Sequence, residues 1–205
     1  MLIRRLRAAS VWTLVVALTT VAFVLPGGAA GARSIARSDL LRSGDLPFGW
    51  TVHRLHGIFD VGCLAPLARQ PALQYSSRAS ITFVDNGNPP VLTEVVATSD
   101  SPSYTYRRVI SALGRCHVVK GVFAGHRLVG SVHRMRFAHF GIASHAYGAN
   151  ASVEGALLFE DLVVVETSQA VLAVAEGNVG AVDSSQFEGF VSLALNRLNA
   201  RVSAG

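Results

Sequence analysis

"ASITFVDNGNPPVLTEVVATSDSPSYTYRRVISALGRC" (residues 79–116) contains the changes of pattern that decide the fold. Residues 79–85 and 91–99 alternate or cluster β-branched side chains on either side of "NGNPP", which predicts a β-hairpin with a loop of about five or six residues. At Ser101 the period changes. Ser101 stands as a cap, Pro102 takes the first helical position, and Tyr106, Val109, Ile110 and Leu113 fall on one helical face. Cys116 arrives as that helix ends.

Working upstream, Ser38 caps a short helix through Asp39, Leu40 and Leu41 that Gly44 ends. Pro47 then disfavours helix at Leu46, and Gly49 turns the chain so that Trp50 opens a strand as a core anchor. Downstream, residues 117–176 read as strands near 127–137, 142–149, 153–160 and 162–175, with a tight hairpin expected at residues 161 and 162 of "FEDLVVVE". Asp183 with Gln186 forms a capping box by position, and Phe187, Phe190, Val191, Ala194, Leu195 and Leu198 repeat at helical spacing. The order α, β, ββ, α, ββββ, α without long βαβ crossovers predicts an α+β fold. Its form is a twisted antiparallel sheet of about six to seven strands, with helices packed on one side.

The chain opens with Arg4, Arg5 and Arg7, an apolar run to Leu25, Pro26, and an A-x-A at Ala30, Gly31 and Ala32. That is the layout of a secretory signal peptide over residues 1–32. The length of the run also leaves an uncleaved anchor open, the one route by which this chain would hold a membrane. Residues 33–205 are enough for one secreted domain. Among the 18 Lys+Arg are the three leader arginines, so the remainder is close to neutral beside 13 Asp+Glu, and a nucleic-acid partner is not implied. The two cysteines, Cys63 and Cys116, follow the leader into an oxidising compartment, where the simplest reading is one disulfide. Closing a loop of about 54 residues stabilises by about 4 kcal/mol in the loop-entropy account.

"DLPFGW" (Asp45 to Trp50), a cysteine shortly after it (Cys63), a second closing a helix ("ISALGRC", Cys116) and the final "DSSQFEGFVSLALNRL" helix together resemble actinobacterial extracytoplasmic sensor-like domains. These include the extracellular sensor domain of a mycobacterial Ser/Thr kinase and secreted or lipid-anchored relatives. The resemblance spans most of residues 35–202 and implies an antiparallel sheet with flanking helices, a cleft, binding rather than catalysis, and the pairing of Cys63 with Cys116. The chain departs from the kinase version in carrying no kinase sequence and in allowing one disulfide rather than two, which puts a signalling role in doubt.

Charge is uneven along the chain. No acid occurs between Asp100 and Glu154, while Arg107, Arg108, Arg115, Lys120, Arg127, Arg134 and Arg136 are basic. Two readings follow: basic strands paired with acidic ones across the sheet, or a groove in which Arg127, Arg134 and Arg136 read an anion. In "GSVHRMRF" strand alternation puts Arg134 and Arg136 on one face and His133, Met135 and Phe137 on the other. His126, His133, His139 and His145 match no compact metal-ligand spacing, so no metal and no cofactor is expected. Glu160 and Asp161 would point to opposite faces of a strand, with a turn the favoured home, and neither G-x-S-x-G nor H-E-x-x-H occurs. The expected activity is therefore non-enzymatic: an extracytoplasmic binding or sensor domain for a small envelope-derived lipid, glycan or peptide. The alternative is a structural protein that docks to another cell-envelope protein.

Overall fold

The computed structural model describes residues 39–53, 77–123, 126–153 and 155–202. The leader and Cys63 lie outside the described residues. Eight strands form one antiparallel sheet in the order β1-β2-β3-β8-β7-β6-β5-β4. They are β1 (Trp50–His53), β2 (Ser77–Asp85), β3 (Asn88–Thr98), β4 (Val118–Phe123), β5 (His126–Met135), β6 (Ala143–Val153), β7 (Ala156–Glu166) and β8 (Ala170–Asn178). Two α-helices complete the described fold, α1 (Pro102–Gly114) between β3 and β4 and α2 (Ser184–Val202) after β8.

The expected α+β sheet of six to seven strands with helices on one side is therefore corrected to an eight-stranded sheet with one helix on each face. α1 lies over Val91, Val95, Leu158, Val164 and Val171 through Tyr106, Val109 and Leu113. On the opposite face α2 lays Phe187, Phe190, Val191 and Ala194 on Leu92, Val96, Val163, Val165, Leu172 and Val174. Central strands covered on both faces need apolar side chains at successive positions. That is why "LVVVE" and "AVLAVAE" look continuous and hide the alternation that one-sided packing would print in the sequence. Trp50 is buried as expected, its ring edge-on to Phe190 at 5.3 Å between centroids, a geometry that adds about 1 kcal/mol to the area it buries.

Three local expectations are also corrected. Asp39 is in 3-10 conformation, Leu40 to Arg42 is irregular and a 3-10 turn at Ser43–Asp45 follows, so the expected helix does not run through Leu40 and Leu41; Ser38 lies outside the described residues. Leu40 and Leu41 are apolar because they plug the α2 face of the core. The β2–β3 hairpin turns on Asn86 and Gly87 alone, with φ of 45° and 70°, so Asp85 faces Asn88 directly. Asn-Gly accepts positive φ at both positions, the geometry of the tightest hairpin turns. Pro89 and Pro90 then fall where the register shifts, between Asp85↔Asn88 and Val84↔Val91. Finally, β7 runs straight through Glu160 and Asp161, and the turns lie at Gly155 (φ 83°) and at residues 167–169.

Candidate ligand-binding site

β4 accompanies β5 only as far as Val118↔Ser131, followed by the Val132 N–H bond to His117 O at 3.1 Å. Beyond it β5 continues beside β6 to the pair Met135↔Ala146, and then the chain leaves the sheet over residues 136–142. This loop is held at its return. The Phe140 N–H donates to Ser144 Oγ at 3.0 Å, and the Ile142 N–H donates to Glu166 O at 2.9 Å. Gly141 has φ 60°, and a Cβ there would meet Glu166 O and Val165. Glycine is needed for both reasons.

Where β5 and β6 part, a cleft of about 480 Å³ opens. One arm supplies Arg134, Met135, Arg136, Phe137, Ala138 and His139, the other Ser144, His145 and Ala146, and β7 adds Val163. Alternation gives the cleft two unlike sides. Arg134 stands opposite Tyr147 on the α1 face, whereas Met135, Ala146 and Val163 belong to the α2 face together with Phe137. The Phe137 ring packs 5.4 Å from that of Phe187, so the apolar side is anchored to α2.

The cationic side is tied to α1. Tyr106 Oη and His145 Nδ1 are 2.7 Å apart, and Tyr147 Oη donates to Ile110 O at 3.4 Å. Burial, with the Glu166 charge next in weight, pushes the Tyr106 phenol up to about 12. Burial and then the Arg134 guanidinium hold His145 below the ordinary histidine range, so the imidazole is neutral near pH 7. Burial likewise raises Tyr147, partly countered by its hydrogen bond with Arg134. Both phenols remain hydrogen-bonding groups and neither serves as a base. Ser103 Oγ on α1 donates to Glu166 Oε1.

Of the arginines singled out in the sequence, the structure brings Arg134 and Arg136 to the cleft and leaves Arg127 out. Arg127 is exposed at the far end of β5 opposite Val122, and does not line the cleft. Arg134 has Tyr147 rather than an acid as its cross-strand partner. The acids Glu160 and Asp161 sit one strand further in, opposite Ala149 and Gly148. His133 lies on the other face from Arg134, its ring over Gly148, and the described residues hold no group of three or more potential metal ligands. Cys116 is buried in the α1 core cluster, and no described cysteine is free.

Sequence reasoning missed Tyr106 as a cleft partner, because its helical spacing accounts for it fully as core. It also missed the burial of three carboxylates that each keep an unpartnered oxygen, Glu160 having been expected at a turn. Glu94 Oε2 accepts the Leu41 N–H at 2.7 Å while Oε1 has no partner, and burial pushes the group up to about 7 against the opposing Leu41 hydrogen bond. Burial also pushes Glu176 up to about 7 and raises Glu160 well above the carboxylate range, each with one unpartnered oxygen. At Glu94 and Glu176 the signal left in the sequence is a single acid inside an apolar run.

No protein-family model matches the chain, and no curated protein matches it in sequence. Among solved structures, it is similar to the extracellular domain of PknH from Mycobacterium tuberculosis, with a TM-score of 0.61 at 8% identity. The match covers 83% of this chain and 100% of that one. The likeness is one of fold, and it is to an extracellular domain, the class from which the sequence resemblance was drawn. No described helix is long and apolar enough to cross a membrane.

Proposed function

We propose that this chain is an extracytoplasmic, non-enzymatic binding domain of the sensor type, and that the cleft between β5 and β6 holds a small anionic component of the cell envelope. The observation that carries the reading is the convergence of Arg134 and Arg136 on a cleft of about 480 Å³, a size within the range of about 300–1,000 Å³ used by small-molecule sites. Arginine presents a planar fork of donors suited to phosphate, sulfate or carboxylate. The leader would carry the domain out of the cytoplasm, and the fold likeness to an extracellular domain supports that location. A disulfide between Cys63 and Cys116 belongs to the same proposal.

Native mass spectrometry of the exported protein with and without an envelope lipid extract tests the reading. A discrete adduct is expected, and it should be lost in the Arg134→Ala/Arg136→Ala double variant. A bare protein mass in every extract would overturn the ligand reading and leave docking to an envelope protein as the function to pursue.

A further inference from the structure

We propose that the cleft takes an amphiphilic anion and that binding it is coupled to uptake of one proton by His145. The charged group would lie by Arg134 and His145, and the apolar chain would run toward Met135, Phe137 and Val163. This rests on the reading of the cleft as a ligand site.

The two unlike sides of the cleft carry the first half of the inference. Strand alternation sends Arg134 and His145 to the α1 face and Met135, Ala146 and Val163 to the α2 face, and all of them line one opening. A cavity of about 480 Å³ leaves most of its volume unfilled by an inorganic anion. A wholly apolar ligand would displace water from the arginines without replacing its hydrogen bonds, which disfavours it. A ligand with one charged end and one apolar end satisfies both sides.

The second half comes from the groups around His145. Tyr106 faces it from α1, Arg134 from β5, Arg136 and His139 from the 136–142 loop, and Tyr147 from its own strand. Two acids of β7 share this face: Glu166, which is bonded to Ser103 and acts on Tyr106, and Glu160, further along the strand opposite Ala149. Burial and then the Arg134 cation keep the imidazole neutral, and in the cleft itself cations outweigh the acid. An anion seated beside Arg134 reverses that balance and favours the imidazolium. The proton enters from solvent on whichever ring nitrogen is bare. Nδ1–H then donates to Tyr106 Oη, and Nε2–H is left to donate to the anion.

The sign follows directly. His145 starts below its ordinary range and is raised by the ligand, so the complex binds more protons than the free protein between those two values. Affinity must rise as pH falls through that window, by up to about tenfold per pH unit for one proton.

Calorimetric titration of octane-1-sulfonate, whose charge is constant from pH 6 to 8, into the full exported protein tests this. Measurements in two buffers of different ionisation enthalpy count the protons taken up without any variant. The expected result is a Kd that tightens several-fold between pH 8 and pH 6, with net proton uptake. Inorganic sulfate should bind at least about tenfold more weakly, octyl glucoside should not compete, and His145→Gln should flatten the pH profile. Binding at one Kd with no proton uptake overturns the linkage and leaves the ligand site standing. Sulfate binding as tightly as the sulfonate, or octyl glucoside competing with it, overturns the amphiphile assignment. Absent binding, or binding undiminished in Arg134→Ala, removes the ligand-site reading and this inference with it.

Discussion

Glu94 shows what one residue can cost and control. It is wholly buried on β3, accepts one hydrogen bond from Leu41 N–H, and keeps one oxygen unpartnered. Its carboxyl titrates near 7 in the fold, as does that of Glu176, against an ordinary value of 4.5. Between those values the folded state holds protons that the unfolded state has released, so stability declines as pH rises from about 4.5 to about 7 and levels off above it. The protein should melt at a higher temperature at pH 5 than at pH 8. Glu94→Gln should raise stability at pH 8 by about 1–3 kcal/mol and reduce that difference. Melting curves at the two pH values decide it, and equal melting temperatures in the wild type would contradict the burial argument.

Glycines give a second contrast at this scale. At Gly130 an added Cβ would run into the Asn150 carbonyl oxygen and lie 2.9 Å from Ala151 Cα, both on the neighbouring strand. Backbone cannot step aside as a side chain can, so Gly130→Ala should destabilise by about 1–3 kcal/mol. At Gly148 the obstacle is the exposed ring of His133, with Nε2 2.7 Å away, and a rotamer change relieves it. Denaturant midpoints should show Gly148→Ala as the milder change.

Among the elements, α2 was the most legible. The six apolar positions that its spacing singled out are all buried, and Asp183 Oδ1 accepts the N–H groups of Ser185 and Gln186 at 3.0 and 3.1 Å. Asp183→Ala removes those acceptors and should cost about 1 kcal/mol, a fall in melting temperature of about 2–4 °C. β7 was the least legible. Its paired acids suggested a turn, because an ionised carboxylate is rarely placed inside a sheet. The strand accommodates Glu160 in a site whose burial raises its pKa well above the carboxylate range, and Asp161 by pointing it to the other face, where His133 partly offsets the effect of its burial. Sequence pattern weighs an acid as charged, whereas a buried acid with a raised pKa behaves as a neutral polar group.

For the whole molecule, one long-range tie is the Arg197–Asp45 pair, in which Arg197 Nη1 donates to both carboxylate oxygens at 2.6 and 2.7 Å, and the bond proposed between Cys63 and Cys116 is a second. The first fixes the 3-10 turn to α2 and so holds the β1 side of the sheet against the C-terminal helix. The second restricts the unfolded chain in that proposal, and reduction should lower stability by about 2–4 kcal/mol. Alkylation under non-reducing denaturing conditions checks it: the expected result is no modified cysteine, and a labelled thiol would refute the pairing.

Local chemistry was enough to determine the change from strand to helix at Ser101 and Pro102, the amphipathic α2, and the strand that begins at Trp50. Each rests on residues within a few positions of one another, where φ/ψ preference and side-chain period act directly. Two things were decided only by tertiary structure. Placing β8 beside β3 puts both faces of the central strands under helices, which sets the strand count and the side each helix takes. Parting β5 from β6 beyond Met135 brings Arg134, Arg136 and His145 into one cleft and leaves Arg127 at the other end of its strand. Period states which residues share a face, but pairing order and the place where two strands separate depend on contacts between segments distant along the chain.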